Sequence, residues 1–220
     1  MTVFWHRRDM RLADNVGLDA AAAGDDPVVP VYVLDRDVLD HAAPPRVAFM
    51  CDALGSLRAA YRERGSDLLI REGDPRAVLP DLAGEHGADR VVWNRDYSGL
   101  ARERDAEVRR ALEEAGVARE SHHDAVHHEP GSITTNDGDI YSVFTYFGRK
   151  WHDRPKADPI DPPKADPLDV DEESPVDPRP YEDLVHGVME ARGCPKPDAE
   201  AWVAERGPEA TERFLLARWG

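Results

Sequence analysis

Two hydrophobic periods alternate along this chain. Short β-branched runs at residues 3–6, 28–34, 67–71, 90–94 and 117–120 read as strands. Between residues 45 and 65 the apolar positions Val47, Met50, Leu54, Leu57 and Tyr61 step by three and four, which marks one face of a helix. Gly65 then stops that helix in the usual C-terminal place. Ala101, Asp105, Val108, Leu112 and Ala115 repeat the spacing, with Gly116 as the stop. Residues 75–87 give a shorter helix, and residues 15–24 a fourth. Strand and helix in alternation at these lengths imply an α/β domain. The expected form is a doubly wound (Rossmann-like), parallel, five-stranded sheet with helices on both faces.

The rhythm changes after Ser121. Residues 122–141 read as irregular chain with a turn at Asn136-Asp137-Gly138. Residues 142–151, with Val143, Phe144, Tyr146, Phe147 and Trp151, predict a short helix packing back on the sheet. From 154 to 180 the chain is rich in proline, aspartate and glutamate, which predicts an acidic extended linker without a core. The last forty residues hold two candidate helices. The expected division is therefore an α/β domain at 1–152, a linker at 153–180 and a helical tail at 181–220.

Composition changes the picture in two places. The 220 residues are ample for a core, and the hydrophobic content of 41% is that of a globular protein. No apolar run approaches the ~18 residues of a spanning helix, and the N-terminus shows no secretory pattern. Cys51 and Cys194 stand apart with no framework spacing, so a reduced, cytoplasmic setting without membrane partners is expected. The net charge of −16 is built from 27 Asp and 17 Glu against 24 Arg and only 4 Lys. Dense carboxylates hold hydration and lysine stems are avoided, the balance of a halophilic protein. The same charge argues against a freestanding nonspecific nucleic-acid binder, which needs a basic footprint.

Ligands of open parallel sheets bind outside the carboxyl ends of the strands. His6-Arg7-Arg8, Asp35 and Asn94-Arg95-Asp96 all fall there, and Arg46 opens the second long helix. Two carboxylates and an arginine suit a planar hydrogen-bonding heterocycle better than a pyrophosphate. The same residues would serve equally as surface ion pairs. There is no G-x-G-x-x-G after the first strand, no Walker loop and no G-x-S-x-G elbow. The stretch HHDAVHHE could in principle hold zinc or nickel. Solvated histidines are the expected reading, with no metal and no catalytic residue assigned.

The stretch FWHRRDMRLADNVGLDAA at residues 4–21 resembles the opening signature of the DNA photolyase/cryptochrome family, W/F-x-R-x-D-L-R-x-x-D-N. The likeness continues in order through PVYVLDRDVL, PPRVAFMCDALGSLRAAYRERGSDLLIREGDP, ADRVVWNRDYSGLARERDAEV and YSVFTYFGRKW, and fades in the linker. It points most closely to class I cyclobutane-dimer photolyases with a deazaflavin antenna. What the resemblance implies is an N-terminal domain that holds a light-harvesting chromophore. In that family a helical C-terminal domain holds FAD and repairs a flipped pyrimidine dimer.

Members that use methenyltetrahydrofolate carry an Asn-Glu pair where this chain has Leu100 and Ala101, so folate is disfavoured. Deazaflavin-type members use positions matched here by Val33, Leu34, Asp35, Arg46 and Asp96, which implies cofactor binding by those five residues. The expected antenna is 8-hydroxy-5-deazaflavin. FAD and the surface that meets damaged DNA would lie beyond Gly220, with 181–220 as the start of the FAD domain, so photorepair is not expected of these 220 residues alone. A cryptochrome-type light sensor and a noncatalytic nucleotide-binding module of the same fold are the alternatives.

Charge repulsion supplies the first testable expectation. Screening acts within ~10 Å at 0.1 M salt and more completely above it. The melting temperature should rise markedly from low salt to molar KCl, as followed by circular dichroism. An unchanged or falling value would show that the carboxylates carry no net repulsion.

Overall fold

Side chains that alternate at period two are buried on both faces of the central strands, so helices must cover the sheet twice. The computed structural model describes residues 1–39, 42, 44–164, 189–190 and 192–219. Strands β1 (Thr2–His6), β2 (Val28–Leu34), β3 (Leu69–Glu72), β4 (Arg90–Asn94) and β5 (Ala118–His122) all pair in parallel. Their order is β3-β2-β1-β4-β5, so the winding direction reverses between β1 and β4. The helices are α1 (Val16–Ala21), α2 (Arg36–Leu39), α3 (Pro44–Arg62), α4 (Pro75–Glu85), α5 (Gly99–Glu114), α6 (Phe144–Asp153) and α7 (Lys196–Trp219).

Trp5, Val31 and Trp93 face one side, where Leu79 and Leu82 of α4 and Val108 and Leu112 of α5 cover them. Phe4, Leu34 and Val92 face the other side, against Leu18 of α1 and Leu54, Leu57 and Tyr61 of α3. The expected doubly wound α/β fold is thus the observed one. The third strand begins at Leu69 and not at Asp67 for a specific reason. Asp67 is taken by the guanidinium fork of Arg58, with Nε to Oδ1 at 2.7 Å and Nη2 to Oδ2 at 2.8 Å.

Two expectations need correction or qualification. The helix expected over 142–151 forms as α6 but does not pack on the sheet. Its residues are not buried, and Phe144 is 80% exposed. Both sheet faces are already covered, so α6 lies against the loop before it. Lys150 Nζ donates to Thr134 O at 2.9 Å, and Trp151 meets the rings of His127 and His128. The linker expectation at 153–180 and the tail at 181–220 fall partly outside the described residues. Within them, the Asp14 amide donates to Ile160 O at 2.6 Å, and α7 packs on α3 through Ala199 and Val203 against Val47 and Cys51.

The loop from β1 to α1 is tied by side chains in place of a glycine-rich turn. Asp9 Oδ1 accepts from the Arg7 amide at 2.8 Å, and its Oδ2 accepts from Asn94 Nδ2 at 2.6 Å. Asn94 Nδ2 also donates to Asn15 Oδ1 at 2.7 Å, and Asn15 Oδ1 caps α1 through the Leu18 amide at 3.0 Å. The Gly17 amide closes the ring by donating to Asn94 Oδ1 at 2.9 Å. Asp124 joins from beyond β5, accepting from the Val16 amide at 3.0 Å and from Arg11 Nη2 at 2.7 Å.

The hydrogen bond to Asn94 requires the backbone of α1 to approach closely, and only glycine permits that. A Cβ at Gly17 would lie 2.6 Å from Asn94 Oδ1 and 3.0 Å from Phe4. Gly17→Ala should therefore lower the unfolding free energy by about 1–3 kcal/mol, the ordinary cost of overpacking a core. Urea denaturation of both chains measures this, and equal midpoints would show that the ring of bonds yields freely.

Candidate functional site

The carboxyl ends of β1 and β2 and the start of α5 enclose a cleft of about 170 Å³. Trp5, Tyr32, Val33, Leu34, Met50 and Leu100 supply apolar surface there, and Arg7, Asp35, Asp96 and Arg104 supply charge. A second cavity of about 430 Å³ shares Arg7, Arg8, Asp96 and Ser98 as walls and continues along the β1–β4 edge.

Each charged group is held by its neighbours. Arg104 Nη1 lies 3.2 Å from Asp35 Oδ2, with side-chain exposures of 16% and 10%. The other Asp35 oxygen accepts from the Asp37 amide at 3.0 Å, which starts α2. Arg7, drawn inward, pairs through Nη1 with buried Asp105 of α5. Burial lowers the Arg7 pKa, opposed by Asp105, and Arg104 nearby lowers it further. Asp96 accepts from the Ser98 amide at 3.0 Å and lies 3.5 Å from Arg8. Burial pushes its carboxyl up, but the Ser98 amide and the charges of Arg8 and Arg7 together hold it below the ordinary value.

Donors outnumber acceptors in this cleft. Among the described residues, the buried Trp5 Nε1, Arg7 Nε and Nη2, and Arg104 Nε have no hydrogen-bond partner. Buried donors left unpaired are costly, so a ligand that brings carbonyl or phenolate oxygens would relieve them. This donor surplus fits a deazaflavin ring, which carries both kinds of oxygen.

Four of the five residues singled out from sequence, Val33, Leu34, Asp35 and Asp96, share this one cleft. Arg46 is exposed on α3 and is not among the residues that line it. The cation beside Asp35 is Arg104, which sequence reasoning passed over. The signal was present: Arg104 borders the buried α5 stripe of Ala101, Asp105, Val108 and Leu112. Leu100 and Ala101, noted for their mismatch with a folate site, also line the cleft. The histidine-rich stretch is used in packing and pairing. His123 meets the Tyr97 hydroxyl, His122 Nε2 lies 3.0 Å from Glu120, and no metal-ligand group of three forms among the described residues.

The model of the family described as DNA photolyase matches residues 2–167. The chain belongs to the DNA photolyase family. A deoxyribodipyrimidine photo-lyase of Halobacterium salinarum is 60% identical over 168 residues, covering 72% of this chain and 35% of that protein. A cryptochrome DASH of Natronomonas pharaonis is 37% identical over 150 residues, covering 65% of this chain and 32% of that protein. The crystal structure of a class III photolyase from Agrobacterium tumefaciens matches with a TM-score of 0.72 and 28% identity, covering 86% of this chain and 40% of that one. The chain therefore spans about a third of the length of these curated relatives. No helix among the described residues is long and apolar enough to cross a membrane.

His6, at the cleft's edge, generates a pH prediction. Its Nδ1–H donates to Asp9 O at 3.0 Å, which leaves Nε2 to accept from the Tyr61 hydroxyl at 2.6 Å. The bond at Nε2 needs the neutral ring, whereas the Nδ1–H bond to Asp9 O favours the charged one, and burial outweighs it. Burial lowers the His6 pKa below its ordinary 6.5, outweighing the pull of Asp9. The unfolded chain thus takes up this proton at higher pH than the folded one. The stability that His6 contributes is complete above about pH 6.5 and is lost as pH falls below it. The stability gap between wild type and His6→Gln in urea should narrow from about pH 7 to pH 5. A gap constant with pH would mean that His6 binds its proton alike in the folded and unfolded chains.

Proposed function

We propose that this chain holds the light-harvesting chromophore of a photolyase that repairs cyclobutane pyrimidine dimers. The chromophore class is 8-hydroxy-5-deazaflavin. The observation that carries the reading is the donor surplus beside an apolar wall, at the sheet edge where four residues matched to deazaflavin-type members converge. When bound, the chromophore supplies absorption in the near-ultraviolet to blue. The protein's part is to bind and orient. Arg104, kept in place by Asp35, presents a charge-assisted donor to an anionic ring oxygen. Asp96 is held ionised and accepts from a ring NH or a ribityl hydroxyl. Val33, Leu34 and Met50 exclude water from the ring face.

Repair is preferred over light signalling because the photo-lyase relative is 60% identical and the cryptochrome relative 37%. FAD chemistry and contact with damaged DNA belong, on this reading, to a full-length photolyase. Folate remains the disfavoured antenna.

Binding of 8-hydroxy-5-deazariboflavin, followed by its fluorescence, tests the reading. Wild type should bind saturably, and Arg104→Ala should weaken binding by about 1.5–3 kcal/mol, the range for hydrogen bonds to charged groups. Arg46→Ala, at the position the family resemblance marks, should cost less. An Arg46→Ala loss larger than that of Arg104→Ala would move the site toward α3.

A further inference from the structure

Trp5 is among the residues that line the cleft and is only 2% exposed. Two guanidinium groups lie over this indole. The Cζ of Arg7 is 4.9 Å from the ring centroid and that of Arg104 is 5.2 Å away. Each is kept in place by a carboxylate at Nη1, Asp105 for Arg7 and Asp35 for Arg104. The Trp5 Nε1 proton has no acceptor among the described residues, whereas that of neighbouring Trp93 donates to Asp105 Oδ2 at 3.3 Å.

An indole beside a photoexcited flavin-like ring is ordinarily an electron donor. One electron leaves the indole and enters the excited ring, with no bond made or broken. The charges then recombine and the excitation is lost as heat. An antenna whose binding wall did this would pass little energy on.

Resting on the chromophore reading above, the geometry points to Trp5 as a wall kept from quenching the bound ring. Two cations over the indole oppose the positive charge that its oxidation would create. That opposition is strong where the dielectric is low. Arg7 and Arg104 are therefore positioning residues that act through Trp5, and Arg104 does so in addition to its contact with the ligand.

Time-resolved fluorescence of 8-hydroxy-5-deazariboflavin bound to this chain tests the inference. The lifetime of the bound fraction does not depend on affinity, so weakened binding does not mask the result. Trp5→Phe should leave the lifetime unchanged, because Trp5 is already silent. Arg104→Gln should shorten it by about twofold or more, the effect of one modest cation–π interaction on an equilibrium. Adding Trp5→Phe to Arg104→Gln should restore it, which a purely structural role of Arg104 would not produce. A longer lifetime in Trp5→Phe, an unchanged one in Arg104→Gln, or a shortening that persists in the double variant would overturn the inference alone. Failure of the deazaflavin to bind wild type would overturn the chromophore reading and this inference with it.

Discussion

The carboxyl edge of the sheet depends on the hydrogen bond from Asn94 to Asp9. That contact joins the ends of β1 and β4, the two strands between which the winding reverses. Strands at such a point diverge, and most nucleotide folds fill the gap with a ligand phosphate on a glycine loop. Here a carboxylate takes that place. Asp9 collects the Arg7 amide and Asn94 with strong geometry, and Asn15 lies at 3.4 Å. Because the same Asn94 side chain also receives the Gly17 amide, the start of α1 is fixed by the junction and not by a bound anion. The cleft described above lies to the β1–β2 side of this junction, with Trp5 and Tyr32 among its lining residues.

Arginine makes this arrangement possible in so acidic a chain. Buried carboxylates at Asp67, Asp105 and Asp35 each meet a guanidinium, namely Arg58, Arg7 and Arg104. A planar fork can neutralise a carboxylate through two parallel bonds from one edge and still hold further donors in fixed directions, a geometry that an ammonium lacks. Arg58 spends two nitrogens on one carboxylate and is structural. Arg7 and Arg104 instead leave buried nitrogens unpaired beside the cleft. Arg58 is thus spent within the fold, whereas Arg7 and Arg104 keep donors in reserve.

Much of this was legible in the sequence, for reasons that differ by element. The five strands and the α3 and α5 stripes follow from periodicity, because the two sheet faces demand it. Gly65 and Gly116 adopt positive φ just after their helices, as their place in the pattern predicted, and Gly87 does so beyond a helix that ends at Glu85 and not at 87. The α6 helix was legible but its packing was not, since periodicity reveals an apolar stripe and not what covers it. For the site, Asp35 and Asp96 could be found because strand ends are sequence-local signals. Arg104 could not be found that way. It reaches the cleft from α5, which is tied to the end of β1 by Arg7 and Asp105, a contact between residues ninety-eight positions apart.

The same logic of long-range contact ties the tail to the cleft. Met50 forms part of the cleft wall, yet it packs against two clusters of buried residues. One is the sheet-facing core around Leu54 and Leu57, and the other holds Val47 and Cys51 against Ala199 and Val203 of α7. Methionine has no branch to lock its position, so its place is set by what surrounds it. Leu34 and Leu39 belong with it to the sheet-facing cluster and also line the cleft. One residue of the cleft wall therefore also packs in the cluster that α3 shares with α7, a helix nearly 150 residues downstream.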